Sequence, residues 1–206
     1  MKVRVEMTLD VACAWSALAH ARLENALERF RAEGGEAEVA YRPFQVVPDA
    51  PVEGEPLSEV HRRAFGPDAE RNTARMAALA ARDGFTMRFD RAVFANTLGA
   101  HRLIAAAAGQ GKGEEAAGRL FRAYFSDGLN VADRDVLSRS AAELGVRWDP
   151  DGDADEVRAA IARVRAEGVT SVPRFVIGER TLPPGAPSTD DLLTALRAAA
   201  DRAAMV

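Results

Sequence analysis

Strand-forming sequence is confined to the two ends of this chain, and a long helical stretch separates them. Near the start, Val3, Val5 and Met7 alternate with charged or polar residues, which predicts a strand. Apolar side chains at three- and four-residue spacing then predict a helix from residue 14 to about 31. A second alternating segment follows at 37–41. The chain therefore opens as strand, helix and strand, and the helix is long enough to connect two parallel strands.

The middle of the chain, residues 57–167, has only helical periodicity. Gly, Pro and charged residues predict a loop over residues 48–57. The predicted helices cover residues 68–82, 92–108, 114–126, 133–144 and 156–167, the last with capping-box spacing between Asp153 and Glu156.

Strand sequence returns at 168–182, and Ser188 with Asp191 predicts the cap of a final helix. We therefore predict one α/β domain made of residues 1–56 and 168–206. A helical insertion subdomain at 57–167 interrupts it.

Composition excludes several classes of protein. The 206 residues carry 27 Lys and Arg against 31 Asp and Glu, and this net charge of −4 argues against a nucleic-acid partner. A single cysteine excludes a disulfide framework, and the scattered His20, His61 and His101 exclude paired metal ligands, so we expect no metal site. We expect no membrane span and no signal peptide, and place the protein in the cytoplasm.

Cys13, the only thiol, follows the first predicted strand and opens the first predicted helix. A helix N-terminus stabilises a thiolate, so this position predicts a nucleophile with a lowered pKa. The alternative is a small buried apolar residue, the usual fate of a lone cysteine. Ser16, one helical turn later, either offers its hydroxyl or N–H to the sulfur or is an ordinary first-turn serine that caps the backbone.

Five segments together resemble the DsbA-like branch of the thioredoxin superfamily. The resemblance is closest to the FrnE-like group, which includes relatives of 2-hydroxychromene-2-carboxylate isomerase and kappa-class glutathione transferases. The segments are 10–16 (DVACAWS), 41–45 (YRPFQ), 96–103 (NTLGAHRL), 120–125 (LFRAYF) and 168–177 (GVTSVPRFVI). They follow the family order over most of the chain, and imply an α/β thioredoxin fold interrupted by a large all-helical insertion.

The resemblance also implies a cis bond before Pro173, which would present backbone groups of Val172 to a substrate or thiol beside Cys13. The alternative is a trans proline that starts an edge strand. The family has two cysteines in a C-x-x-C motif, whereas this chain has Ser16 in place of the second. No internal disulfide can form, so an external thiol must resolve any mixed disulfide.

Three functions remain open from these features. The first is a monothiol thiol–disulfide oxidoreductase that forms mixed disulfides through Cys13. The second, implied by the isomerase and transferase relatives, is a cis–trans isomerase or thiol transferase in which Cys13 is the nucleophile or anchors a thiol cofactor. The third is a catalytically silent binding protein.

The expected partners follow from these functions. They are a disulfide-containing protein, or a small-molecule substrate or thiol of the glutathione or mycothiol type. We expect no tightly bound cofactor. Kappa-class relatives imply that a homodimer is possible.

Three further residues are candidates for binding substrate or thiol. Asp10 either shuttles a proton near the sulfur or is a solvated turn residue. Trp15 forms an apolar wall for a substrate or covers the edge of the insertion. His101 lies on the apolar side of a predicted helix, as a core histidine or as part of the site.

Overall fold

The computed structural model describes residues 2–152 and 154–204. The strands are β1 (Val3–Leu9), β2 (Ala37–Pro43), β3 (Glu55–Pro56), β4 (Val93–Phe94), β5 (Arg174–Ile177) and β6 (Arg180–Thr181). The helices are α1 (Ala14–Ala32), α2 (Leu57–Phe65), α3 (Ala69–Arg82), α4 (Leu98–Ala108), α5 (Gly113–Arg122), α6 (Arg134–Glu143), α7 (Asp155–Ala166) and α8 (Thr189–Ala204). No helix in the described part of the chain is long and apolar enough to cross a membrane.

The central sheet has the strand order β2-β1-β5-β6. β1 pairs in parallel with β2, with Val5 opposite Val39, and antiparallel with β5, with Met7 opposite Phe175. The predicted strand–helix–strand opening is confirmed, and α1 ends where Gly34 adopts a φ of 88°. β1 is central, so the residue that follows it is held by neighbours on both sides.

Three helices of the segment between Leu57 and Ala166 pack against this sheet, and the segment shares its core. α4, α5 and α7 contact β2, while α8 packs on α1 and the sheet. One apolar cluster joins Met7 of the sheet to Leu103 and Phe121 of the helical segment. A thioredoxin fold with a helical insertion is thus the observed architecture.

Some predicted boundaries are wrong. α4 begins at Leu98, not at residue 92, because the Asn96 side chain accepts from the Leu98 N–H and donates to the Pro48 carbonyl. Val93–Phe94 instead pairs with Glu55–Pro56, so the 48–57 segment is not wholly loop and the insertion is not wholly helical.

The end of one other predicted helix differs from the prediction, and the predicted cap of another helix cannot be compared. The helix predicted to run to residue 126 changes from α5 to a π-helix at Ala123–Asp127. The predicted cap residue Asp153 lies outside the described residues.

The predicted cap of α8 is confirmed and supports a stability test. The Ser188 hydroxyl accepts from the Asp191 N–H at 3.1 Å, and the Asp191 carboxylate accepts from the Ser188 N–H at 3.2 Å. We expect Ser188→Ala to lower the free energy of unfolding by about 1 kcal/mol in urea denaturation, because a first-turn N–H loses its acceptor. The control is Thr194→Ala, which removes an exposed hydroxyl within α8. An equal loss in both variants would contradict a capping role.

Candidate active site

Cys13 occupies the N-cap position of α1, after the turn that follows β1. Its N–H donates to the Asp10 carbonyl at 3.0 Å, and its carbonyl accepts from the Ala17 N–H at 3.0 Å. These bonds hold the cysteine at the positive end of the helix. The residue as a whole is partly exposed to solvent.

The segment before β5 forms the other side of the site. Cys13 Sγ lies 3.7 Å from the Val172 carbonyl oxygen, the acceptor for the thiol. The peptide bond between Val172 and Pro173 is cis. The fold thus brings together two segments that lie far apart in the sequence.

Burial raises the pKa of the Cys13 thiol, and the nearby Asp10 carboxylate raises it further. The Ser16 hydroxyl and the N–H groups of Ser16 and Trp15 act in the opposite direction, but they do not outweigh burial. The expectation of a lowered pKa, drawn from the helix terminus alone, is therefore wrong. The helix start lies against packed protein, which disfavours the charged thiolate.

Ser16 is fully buried in the first turn of α1. Within the described residues its hydroxyl makes no well-formed hydrogen bond, yet it lies close enough to the sulfur to lower the pKa of Cys13. It therefore faces the thiol from the protein side, where the second cysteine of a two-thiol site would stand.

Asp10 is buried, so it is not a solvated turn residue. Its carboxylate accepts from the Val46 N–H at 2.7 Å and from the Ala12 N–H at 3.3 Å. His101 Nε2 lies 3.6 Å from the same carboxylate and donates to the Phe44 carbonyl at 2.9 Å. Asp10 and His101 thus form a buried polar pair, joined to the site through the Asp10–Cys13 turn.

Trp15 is half exposed, although its side chain is large and apolar. With Ala14 it lines an apolar cleft whose opposite walls come from α2 and α3. Trp15 therefore borders a cavity beside the first turn of α1, and its role as a wall for a substrate stays a prediction.

Comparison with known proteins identifies the family. Residues 4–197 match the model of the DSBA-like thioredoxin domain. The chain belongs to this family. The resemblance predicted from the sequence is thus confirmed, and the matched range includes every site residue described above.

Individual known proteins also resemble the chain along nearly its whole length. A crystal structure of a probable DsbA oxidoreductase from Streptomyces coelicolor is 30% identical with a TM-score of 0.82, covering 97% of this chain and 90% of the other. The Bacillus subtilis protein YwbO is 25% identical over 92% of this chain and 94% of its own. The structure of a 2-hydroxychromene-2-carboxylate isomerase, 15% identical with a TM-score of 0.65, covers 98% and 96% and shares the fold.

Three further polar side chains of this DSBA-like chain have local partners. Arg42 pairs with both carboxylate oxygens of Glu167 at 2.7 and 2.6 Å. The Arg102 guanidinium donates to backbone carbonyls of residues 149–152 and lies over the Trp148 ring. His20 hydrogen-bonds to the Tyr41 hydroxyl at 3.0 Å. These three side chains therefore have structural partners.

Two residues near the site of this DSBA-like protein were missed from the sequence. Tyr124, in the π-helix, is fully buried, and its hydroxyl has no partner among the described residues. Burial, and then the charges of Asp10 and Cys13, raise the pKa of Tyr124. The segment 120–125, one of the five that resemble the family, was the sequence signal that could have indicated Tyr124. His61 lines the cleft beside Trp15, and no local pattern indicated it.

The pKa of Cys13 gives a direct test. We expect the iodoacetamide reaction rate to rise with pH to a midpoint above about 8.5, the ordinary cysteine value, because only the thiolate reacts. Asp10→Asn should lower the midpoint by removing a negative charge. Ser16→Ala should raise it by removing a hydroxyl that favours the thiolate. A midpoint below 8.5 in the wild type, or shifts of the same sign in both variants, would refute this account.

Proposed function

We propose that the chain is a thiol–disulfide oxidoreductase of the monothiol type, with Cys13 as its nucleophile. Family membership supports an enzyme of the general thiol–disulfide oxidoreductase or isomerase kind. The observation that carries the finer proposal is the pairing of a partly exposed Cys13 with Ser16, a hydroxyl residue, at the position one turn further on. The site has one sulfur that can attack and no second sulfur that can displace the product.

The reaction then has three steps. The Cys13 thiolate attacks one sulfur of a disulfide; a new S–S bond forms, and the other sulfur leaves as a thiolate and takes up a proton. An external thiol loses its proton and attacks the mixed disulfide, and Cys13 leaves as a thiolate. A second external thiol then attacks the released disulfide, which joins the first external thiol to one substrate sulfur. The substrate disulfide is thereby reduced, and the two external thiols are oxidised to a disulfide.

The protein groups have distinct roles in this proposal. The Ser16 hydroxyl and the first N–H groups of α1 stabilise the thiolate as it forms. In the resting protein the Val172 carbonyl accepts a hydrogen bond from the Cys13 thiol. The backbone around Pro173 lies where a partner would dock. The proposed external thiol is of the glutathione or mycothiol type, and the proposed compartment is the cytoplasm, where such thiols stay reduced.

A second candidate is an isomerase or thiol transferase in which Cys13 adds to an activated double bond or anchors a thiol. The apolar cleft beside Trp15 favours it, because a small molecule could lie there against the two residues that follow Cys13. A cysteine that adds reversibly needs no second thiol.

Disulfide exchange distinguishes the two candidates. Wild-type protein incubated with glutathione disulfide should gain one glutathionyl group by intact-protein mass spectrometry, and Cys13→Ser should gain none. Dithiothreitol should remove the group, and the wild type should accelerate insulin reduction when an external thiol is supplied. No mixed disulfide at any pH up to the thiol midpoint would refute the oxidoreductase proposal. A Cys13 that alkylates normally but fails this test would favour the isomerase.

A further inference from the structure

A cavity of about 530 Å³ opens beside the first turn of α1, between that turn and helices α2 and α3. We call it the α2–α3 cleft. Its lining includes Trp15, His61, Phe65, Arg75 and Phe89. Its size is in the usual range for a small-molecule site. Ala14 and Trp15, the two residues that follow Cys13, also line it, so the cleft lies beside the helix turn that carries the thiol.

The walls of the α2–α3 cleft are rich in rings. Trp15 and Phe65 are each about half exposed, at 50% and 54%, although both are large apolar side chains. The His61 ring lies 5.5 Å from the Phe65 ring and 5.8 Å from the Phe89 ring. A flat apolar molecule suits such walls, because aromatic faces and edges pack well against one another.

His61 carries an unused hydrogen-bonding atom. Its Nδ1 is buried and has no hydrogen-bond partner within the described part of the chain. Burial lowers the pKa of His61, so the ring is neutral at pH 7. A buried polar atom without a partner is uncommon in proteins, and here it belongs to a residue that lines a cavity.

Arg75 supplies the only full charge in the described lining of the cleft. One turn earlier on α3, Arg71 forms an ion pair with Asp68 at 2.8 Å. Arg75 is exposed, and the described residues give it no hydrogen bond or ion pair. Its guanidinium is therefore available to a ligand carboxylate, which it matches in geometry.

We propose that the α2–α3 cleft binds a flat apolar molecule that carries an anionic group. The apolar body contacts Trp15, Phe65 and Phe89, the anion pairs with Arg75, and a polar group meets His61 Nδ1. Resting on the proposed function, this names the substrate class of the Cys13 site: a disulfide or electrophile attached to such a body.

Binding is measured by calorimetry on the full chain, with biphenyl-4-carboxylate and its uncharged amide as probes. The carboxylate should bind at least about tenfold more tightly than the amide, and binding should change Trp15 fluorescence. Arg75→Gln should abolish this preference. The matched control, Arg82→Gln, removes an exposed arginine of α3 that does not line the cleft and should keep the preference. Equal binding of both probes, or equal effects of the two variants, would overturn the anion assignment.

His61→Phe separates a ligand contact from a structural role. The variant keeps a ring between Phe65 and Phe89 but removes the nitrogen. It should bind the carboxylate several-fold more weakly without lowering the melting temperature. Unchanged affinity, or a loss of affinity that only accompanies unfolding, would remove His61 from the site.

Two further measurements isolate this proposal from the oxidoreductase proposal. Cys13→Ser should bind the carboxylate as tightly as the wild type, so failed disulfide exchange with intact binding would refute only the chemistry at Cys13. Absence of binding in both proteins would overturn the cleft as a site. Sedimentation in the same buffer tests another occupant: a dimer that excludes the carboxylate would make the cleft an interface between copies and would also overturn the proposal.

Discussion

Ser16→Cys is expected to form an internal disulfide with Cys13 and to accelerate insulin reduction at least about tenfold over the wild type when dithiothreitol is supplied. In the wild type, a mixed disulfide at Cys13 can be resolved only by a thiol from outside the protein. A second sulfur in the same site attacks that mixed disulfide without a diffusional encounter, and such intramolecular reactions have very large effective concentrations.

The geometry supports this gain of function. Ser16 is fully buried, and its hydroxyl already interacts with the Cys13 sulfur. A cysteine has nearly the shape of serine, so the new sulfur would stand where that hydroxyl stands. Oxidation should then remove both free thiols of the variant in a thiol titration, whereas the wild type should lose none to an internal bond.

A matched control separates the effect of a second thiol close to Cys13 from the effect of a second thiol anywhere in the protein. Ser140→Cys places a second cysteine on α6, where the buried Ser140 hydroxyl bonds to the Val136 carbonyl. That variant should keep two titratable thiols after mild oxidation and should reduce insulin as slowly as the wild type. Equal activity in both variants, or two free thiols in oxidised Ser16→Cys, would show that position 16 does not face the sulfur as described.

Local patterns predicted most of the framework. The alternation in β1 and β2, the stop at Gly34 and the Ser188 cap depend on residues close in sequence, so periodicity and capping rules reach them. The start of α4 could not be found in this way, because Asn96 is held by the carbonyl of Pro48, which lies 48 residues earlier in the chain. Long-range backbone contacts leave no local periodic signal.

The same distinction applies to the site. The position of Cys13 after a strand and before a helix made it the candidate nucleophile, and the motif resemblance predicted the cis bond before Pro173. The pKa direction was wrong because burial of the thiol depends on the whole packed structure. The α2–α3 cleft was not predicted as a set of residues, since Trp15, His61 and Phe89 come from distant segments.

Asp10 and His101 show what the fold adds to two separate candidates. From the sequence, each had an ordinary and a functional interpretation. In the structure, both are buried and share a polar contact beneath the Cys13 turn. His101 holds the loop at 44–46 directly, by its hydrogen bond to the Phe44 carbonyl. It also acts on this loop through Asp10, whose carboxylate accepts from the Val46 N–H. We therefore regard His101 as a positioning residue.

Removal of this histidine should have a large effect on stability. His101→Leu is expected to lower the free energy of unfolding by roughly 2–4 kcal/mol, because the Phe44 carbonyl loses its donor and the Asp10 carboxylate loses its polar neighbour. His101→Gln retains an N–H donor at similar reach and should recover at least half of that loss. Urea denaturation measures both values.

Cys13 alkylation in the same two variants separates positioning from packing. If His101 positions Asp10 beneath the thiol, the alkylation midpoint should shift in folded His101→Leu and return toward the wild-type value in His101→Gln. A stability loss with an unchanged midpoint would make His101 a core residue only. A loss below about 1 kcal/mol in His101→Leu would mean that the buried pair is not an important contact, since a carboxylate left without its polar neighbour is costly in an apolar interior.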